Sequence, residues 1–542
     1  MWRNITLVGL LALLACAPKI TLKKPAYDYT GMDKNTIQVH KQLQAFLETT
    51  IRSRSPVVLP PTVRIDSLVV DAGSKHIRAV FSKPFSYPAY RPEQVQLIYE
   101  LVRKQLGRKY RAYQISLNTI GQPLQELIPN FYRTDSSQYD TARFPAEKTR
   151  PAPLVQSVSR LSRPAQGLLH YNIDLRPSHG WYFNRVSNRW EWQRPRMFQT
   201  VEDLLPYSVV VPYLLPMLEN AGATVFMPRE RDVQTAEVIV DNDAGPGYSE
   251  QSGGAGVWFT NRERGFSLPQ APFAASVNPF FHGTSRQVAA QADGAGVARW
   301  LPNIPRDGDY AVYVTYVAGA DRVSEALYSV LHSGGRSEFL VNPQIGGSTW
   351  IYLGRFRFRQ GEHPQTGAVL LSNAAGTAGR WVSADAVRFG GGLSSSERGG
   401  YLNTRPRFSE GSKYYLHYLG FPDTLVHNLY QGQDDYRDDY VSRSEFANYL
   451  YGAPFGPKKN RQAPGLGIPI DLSMAIHTDA GITRSDTTIG TLAIYSVQDA
   501  DSNFCFPDQV SRLTNRDFAD VVQRSEERRV GKKGRIQWVR YF

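Results

Sequence analysis

The chain has 542 residues, 42% hydrophobic and 20% charged, enough apolar material for several cores, which excludes a disordered tail. Its formal charge of +13 suggests a polyanionic partner at first, but +5 of it lies in residues 524–542 and +4 in residues 1–24, so the body is near neutral and nucleic acid is not expected. Two cysteines, Cys16 and Cys505, exclude a disulfide framework and a multi-cysteine zinc ribbon, so a metal site must draw on His and carboxylates.

Met1-Trp2-Arg3 and the apolar stretch Ile5 to Ala15 have the proportions of a signal peptide, too short for a membrane span. The stretch ends Leu13-Leu14-Ala15-Cys16, which resembles a bacterial lipobox. That resemblance makes residues 1–16 a removable signal and Cys16 the lipidated first residue of an exported protein, anchored to the cell envelope in the periplasm or at the outer membrane. An ordinary signal peptide is the alternative.

Residues 25–145 read as a small α+β accessory domain. Helices are expected over Thr36 to Arg52 and Pro92 to Leu106, and strands over Val63 to Val70, Ile77 to Phe81 and Tyr113 to Asn118. The Ser, Arg and Pro content of residues 146–166 predicts a linker. An α/β pattern occupies 167–236, starting with a strand at Leu168 to Leu175 that runs into Pro177-Ser178-His179-Gly180. Thr200-Val201-Glu202-Asp203 has capping-box spacing and predicts a helix reaching Asn220, which Pro206, Pro212 and Pro216 should kink or break. A strand over Ala223 to Met227 leads into Arg229-Glu230-Arg231-Asp232.

The period then drops to two. Strands at Tyr310 to Val317 and Tyr352 to Arg359, with Phe356 and Phe358 alternating with Arg355, Arg357 and Arg359, make 237–392 an all-β sandwich. Residues 393–464 are a connecting region, in which Asp434 to Asp439 reads as a solvated acidic loop that could instead edge a cleft. From 465 to 523 the α/β pattern resumes with strands at Pro469 to Ile476, before His477, and Thr491 to Tyr495, and with a helix over Asp508 to Gln523. Residues 524–542 are a basic tail. The expected fold is thus an α/β domain, a mixed sheet flanked by helices, interrupted by a sandwich and preceded by a small α+β domain.

Open α/β sheets present functional groups at the carboxyl ends of their strands, where His179 and His477 stand, with Glu202 between them in sequence. Two imidazoles and a carboxylate are a catalytic zinc set. The motifs Ile173-Asp174-Leu175 into Ser178-His179-Gly180, Glu202, Gly222-Ala223-Thr224-Val225 into Arg229-Glu230-Arg231-Asp232, and Ala475-Ile476-His477-Thr478-Asp479-Ala480 occur in order. Together they resemble the zinc-dependent N-acetylmuramoyl-L-alanine amidase family, which hydrolyses the amide joining muramic acid to the peptidoglycan stem peptide. The resemblance covers about 165–235 and 465–523 and implies His179, Glu202 and His477 as zinc ligands. Asp203 is the competing carboxylate, otherwise a helix residue bonded to the Thr200 N–H. The family's general-base glutamate sits on a late strand that has no counterpart here. Glu526 and Glu527 are expected as solvated charges, and the tail resembles adapter read-through, which implies a truncated C-terminus.

Within the insertion, Glu237 to Asp243, Tyr310 to Tyr316, Gly346 to Trp350 and Val382 to Phe389 resemble the golvesin or xanthan-lyase-type carbohydrate-binding domain. This implies a sandwich that holds polysaccharide or the cell wall. Trp258, Trp300, Trp350 and Trp381 are expected mainly in its core, and Asp241 and Asp243 in a turn, with calcium as the other reading. Trp190, Trp192 and Asp479 are candidates to line the substrate cleft. The expected function is zinc-dependent amidase action on peptidoglycan; the alternatives are a polysaccharide-degrading enzyme of xanthan-lyase type and a non-catalytic wall-binding lipoprotein.

Overall fold

In the computed structural model, residues 27–52, 57–145, 152–159, 167–452, 464–478 and 492–530 are described, except 198, 244, 254, 255, 273, 275, 293 and 378; for 197 and 524–530 only the backbone is described. The signal and lipobox, with Cys16, and Asp479 lie outside the described residues. Among the described residues no helix is long and apolar enough to cross a membrane. The chain divides into two compact units, residues 1–149 with 489–542, and residues 150–488.

The first unit carries a four-stranded sheet, ordered Ile65–Asp71, His76–Phe81, Gln114–Thr119, Gln122–Pro123, whose middle pair is parallel. Helices Lys34–Arg52 and Pro92–Leu106 cover it. In the second, Pro92 takes a first-turn position that needs no N–H, and Val95, Ile98, Val102 and Leu106 bury one face. The expected elements of this domain are therefore all present. Segment 489–523, expected in the α/β domain, belongs here instead. Val497 and Leu513 enter the core built on Val39, Leu43 and Ile98, and helix Leu513–Val530 is tied by Asp520 to Arg91, at 2.5 Å, and by Asp517 to Arg143, at 3.0 Å. No strand forms over 492–495; Tyr495 packs against the core from a loop, while Ile494 is exposed.

The second unit contains a three-stranded parallel sheet, ordered Thr224–Phe226, Asn172–Pro177, Leu472–Ile476. The return of Leu472–Ile476 to the side of Asn172–Pro177 closes an interrupted sheet around everything between them. All three strands run the same way, so the described sheet is parallel, not mixed. The helical run over Leu205–Val209, Val210–Leu214 and Leu215–Asn220 does not break: Pro206 lies in its first turn, and a π-helical turn at Val210–Leu214 takes in Pro212 and directly precedes Pro216. Thr200–Val201 is a two-residue strand, so Thr200 caps no helix.

The sandwich packs a four-stranded sheet, a six-stranded sheet and a three-stranded flank. Gly308–Val314 pairs with Ile351–Phe358, and the alternation holds: Arg355, Arg357 and Arg359 are exposed while Phe358 is buried and Phe356 half-buried. Trp258, Trp300 and Trp350 are core residues, and Trp381 is half-buried. Asp243 N–H donates to Asp241 Oδ1 at 3.3 Å, the turn expected there. One boundary needs correction: Val155–Ser157, inside the expected linker, is the edge strand of the six-stranded sheet beside Gly335–Val341, and Leu154 is buried in the core. Two apolar residues among prolines and serines were enough to complete a sheet edge. Among its described residues the connecting region holds three α-helices, Ser412–Tyr418, Asp423–Val426 and Asp435–Tyr451.

Candidate metal centre

The Asn172–Pro177 strand ends in Ser178, whose φ of +60° turns the chain so that His179 leaves the sheet at its carboxyl end. Gly180 follows because the Glu410–Gly411 backbone crosses there, with Gly411 N–H donating to Trp181 O at 2.8 Å; a Cβ on Gly180 would fall on the Glu410 carbonyl. Glu202 sits in the turn between Thr200–Val201 and the Leu205–Val209 helix, not inside a helix as the capping pattern implied. His477 follows Leu472–Ile476 directly.

These three residues converge. One ligand atom from each lies within 4.8 Å of the others, with Glu202 Oε1 3.3 Å from His477 Nδ1 and Glu202 Oε2 3.8 Å from His179 Nε2. A tetrahedral zinc bonded at about 2.1 Å would separate its ligand atoms by roughly 3.4 Å, so the set fits with small movements. His179 and Glu202 are buried and His477 is open to one side, which leaves a face for a further ligand.

Charge also suits the set. Burial, followed by the neighbouring Arg443, His477 and Arg194, holds His179 far below the usual histidine range, so it is the neutral imidazole that a metal requires. Burial alone would raise Glu202, but hydrogen bonds from His477, from Ser178 Oγ and from Thr478 N–H, at 3.1 Å, outweigh it and keep the carboxylate ionised. Asp203, the competing carboxylate, points elsewhere. Its oxygens accept the Gln193 and Arg194 N–H groups at 3.1 and 3.0 Å, and burial pushes its carboxyl up to about 7. It fixes the 193–194 loop and neither ligates nor bonds Thr200.

Arg229 joins the parts: its guanidinium donates to Pro177 O, Asp203 O and Phe408 O at 2.8–3.0 Å, so the turns bearing His179 and Glu202 share one buried cation. Glu230 faces the sandwich instead, accepting from Arg388 at 2.8 Å and from Tyr313 OH at 2.5 Å.

Of the expected cleft residues, Trp190 is a packing residue. Its indole donates to Tyr401 O at 2.8 Å and lies against Phe183 and Tyr414. Trp192 pairs edge-on with Trp181 across the Trp181–Asn184/Arg189–Trp192 hairpin, immediately before Gln193. The acidic stretch is not a solvated loop: Asp435, Asp438 and Asp439 are buried at the start of the Asp435–Tyr451 helix, where Asp435 meets Lys413, Arg398 and Arg185. Sequence reading missed Gln193, Arg194, Asp439 and Arg443. Gln193 bonds His179 Nδ1, Arg194 Nε donates to His179 Nε2 at 3.0 Å, and Arg443 donates to Ser178 O at 2.9 Å. The pattern around Trp190-Glu191-Trp192-Gln193 marked the neighbourhood but gave no roles.

Comparison with known proteins bears on the insertion. Residues 273–391 match the Golvesin C-terminal domain family, which locates the golvesin-type domain expected within 237–392. A 97-residue stretch is 32% identical to the xanthan lyase of Bacillus sp. (strain GL1), covering 18% of this chain and 10% of that protein; the chain thus spans about a tenth of that relative's length. Among solved structures, a Paenibacillus xanthan lyase is similar at 25% identity and a TM-score of 0.23, covering 29% of this chain and 13% of that one. The C-terminal CBM6 of LamC from Zobellia galactanivorans is similar at 15% identity and a TM-score of 0.18, covering 29% and 99%. The sandwich architecture itself rests on the strand pairing described above.

Proposed function

We propose that this chain holds polysaccharide or the cell wall through its sandwich and hydrolyses the N-acetylmuramoyl-L-alanine amide of peptidoglycan at the His179, Glu202 and His477 centre, anchored to the envelope through Cys16. The golvesin-type domain and the xanthan lyase identity support the polysaccharide part. The hydrolase part is carried by one observation, the meeting of two imidazoles and a buried carboxylate at the carboxyl ends of a parallel sheet. Zinc, when bound, supplies Lewis-acid polarisation of a carbonyl. The chain supplies the rest: a neutral imidazole at His179, a second imidazole at His477, one negative charge at Glu202, and a rigid cradle in which Ser178 and Thr478 hold that carboxylate.

The second reading is a polysaccharide-degrading enzyme of xanthan-lyase type, which the 32% identity favours and which requires a Tyr or His base beside an Arg in a sugar cleft, and no zinc. A third is a non-catalytic wall-binding lipoprotein. Incubation with purified peptidoglycan and with xanthan separates them. Stem peptides beginning with L-alanine support the amidase, absorbance of unsaturated uronate supports the lyase, and wall binding without either product supports the third.

A further inference from the structure

Imidazole binds a metal only through a nitrogen that carries a lone pair, and the proton must then sit on the other nitrogen. For His179 the nitrogen facing Glu202 is Nε2. Two contacts on opposite edges of the ring fix the same tautomer. Arg194 Nε, which can only donate, lies 3.0 Å from Nε2, and Gln193 Oε1 lies 3.0 Å from Nδ1. The ring is therefore protonated at Nδ1, and its Nε2 lone pair, which accepts the Arg194 N–H, is the one a metal would take in place of Arg194.

The amide of Gln193 could present either its oxygen or its nitrogen to the ring, and only the oxygen gives this tautomer. Its orientation is decided by Asp439. The Gln193 Nε2 group donates to Asp439 Oδ2 at 2.8 Å, and a carboxylate can only accept. Asp439 is itself fixed: it is buried, its Oδ1 accepts the Lys413 N–H at 2.9 Å, and Arg443 Nε stands 3.6 Å from Oδ2. Arg443 also reaches Ser178 O, the residue before His179, at 2.9 Å. The Gln193 backbone is pinned separately by Asp203.

We propose that Gln193 and Asp439 are positioning residues that, alongside Arg194, set the His179 tautomer and hold it once a metal replaces Arg194 at Nε2, so that the Asp435–Tyr451 helix of the connecting region, which supplies no metal ligand, tunes metal affinity. Asp439 orients the amide, the amide holds the Nδ1 proton, and Nε2 is left as the donor. The affinity part rests on the metal reading given above; the tautomer part does not.

The test uses the full chain and two variants. In Asp439→Asn the new amide can donate to Gln193 Oε1, which turns Gln193 Nε2 towards the ring and favours the proton on Nε2, against the Arg194 contact. Gln193→Met removes the acceptor while keeping length and volume, at a half-buried site that tolerates it, and it decides the matter should Asp439→Asn fail to fold. With Arg194→Met added to remove the donor on the other edge of the ring, histidine 15N spectra of the metal-free protein should show Nδ1–H at His179 while Gln193 and Asp439 are intact and a shift towards Nε2–H in both variants. Chelator competition with zinc alone should show affinity falling by about 10- to 100-fold. Unchanged His179 spectra and unchanged affinity in a folded variant would overturn the proposal. A parent chain that binds no zinc would refute the hydrolase reading, and the spectra would still decide the tautomer.

Discussion

His477 Nδ1 stands 3.3 Å from Glu202 Oε1, although the whole sandwich and the helical connecting region separate the two residues in sequence. Leu472–Ile476 pairs in parallel register with Asn172–Pro177, Ile476 opposite Pro177, so His477 emerges beside Ser178, whose Oγ donates to the same Glu202 carboxylate. Glu202→Gln keeps the shape and the Ser178 hydrogen bond but removes the charge. Zinc affinity measured by chelator competition should drop by more than about 100-fold, beyond the effect of residues outside the ligand set.

Gly180 tests the backbone crossing that frames the site. Gly180→Ala would drive a Cβ into the Glu410 carbonyl, which is backbone and cannot swing aside. Overpacking of this kind costs about 1–3 kcal/mol, to be read from denaturant unfolding. Because His179 is the adjacent residue, zinc binding should weaken in the same variant.

Arg388 and Glu230 form an ion pair with both side chains fully buried, linking the sandwich to the segment that follows the parallel sheet. Arg388→Met leaves Glu230 without its cation. The expected loss is about 3–5 kcal/mol in urea unfolding, and Arg388→Met with Glu230→Gln should recover part of it.

Asp241 gives a pH signature remote from the metal centre. Burial pushes its carboxyl from the ordinary 3.8 up to about 7. The folded state therefore holds a proton that the unfolded state releases. Stability from this group is complete below the unfolded value and is lost as pH rises through about 7, by up to about 1.4 kcal/mol per pH unit. Asp241→Asn should be the more stable protein at pH 8 and close to the parent at pH 4 in paired thermal unfolding.

The sequence makes some of this legible and hides the rest for physical reasons. Periodicity exposed the N-terminal domain and the sandwich, because their buried faces are apolar: Val95, Ile98 and Val102 on a helix, Phe356 and Phe358 on a strand. Strand ends exposed His179 and His477. The Asp435–Tyr451 helix stayed hidden because its buried face is mostly polar, built from Asp435, Asp438, Asp439, Ser442, Arg443 and Glu445, with only Phe446 and Leu450 apolar, too few to form a stripe. Segment 492–523 was misassigned because apolar residues such as Val497 and Leu513 fit any core, and nothing local says which one. Gln193 lay in a stretch marked as a possible cleft edge, but its role was hidden, since it depends on an acceptor supplied by that helix.

The most direct test is the metal content of the purified full chain, with His179→Ala and His477→Ala alongside. The account predicts about one zinc per chain, retained through dialysis and lost in both variants, in keeping with a three-ligand protein site. A folded parent chain that takes up no zinc, or variants that keep it, would contradict the account.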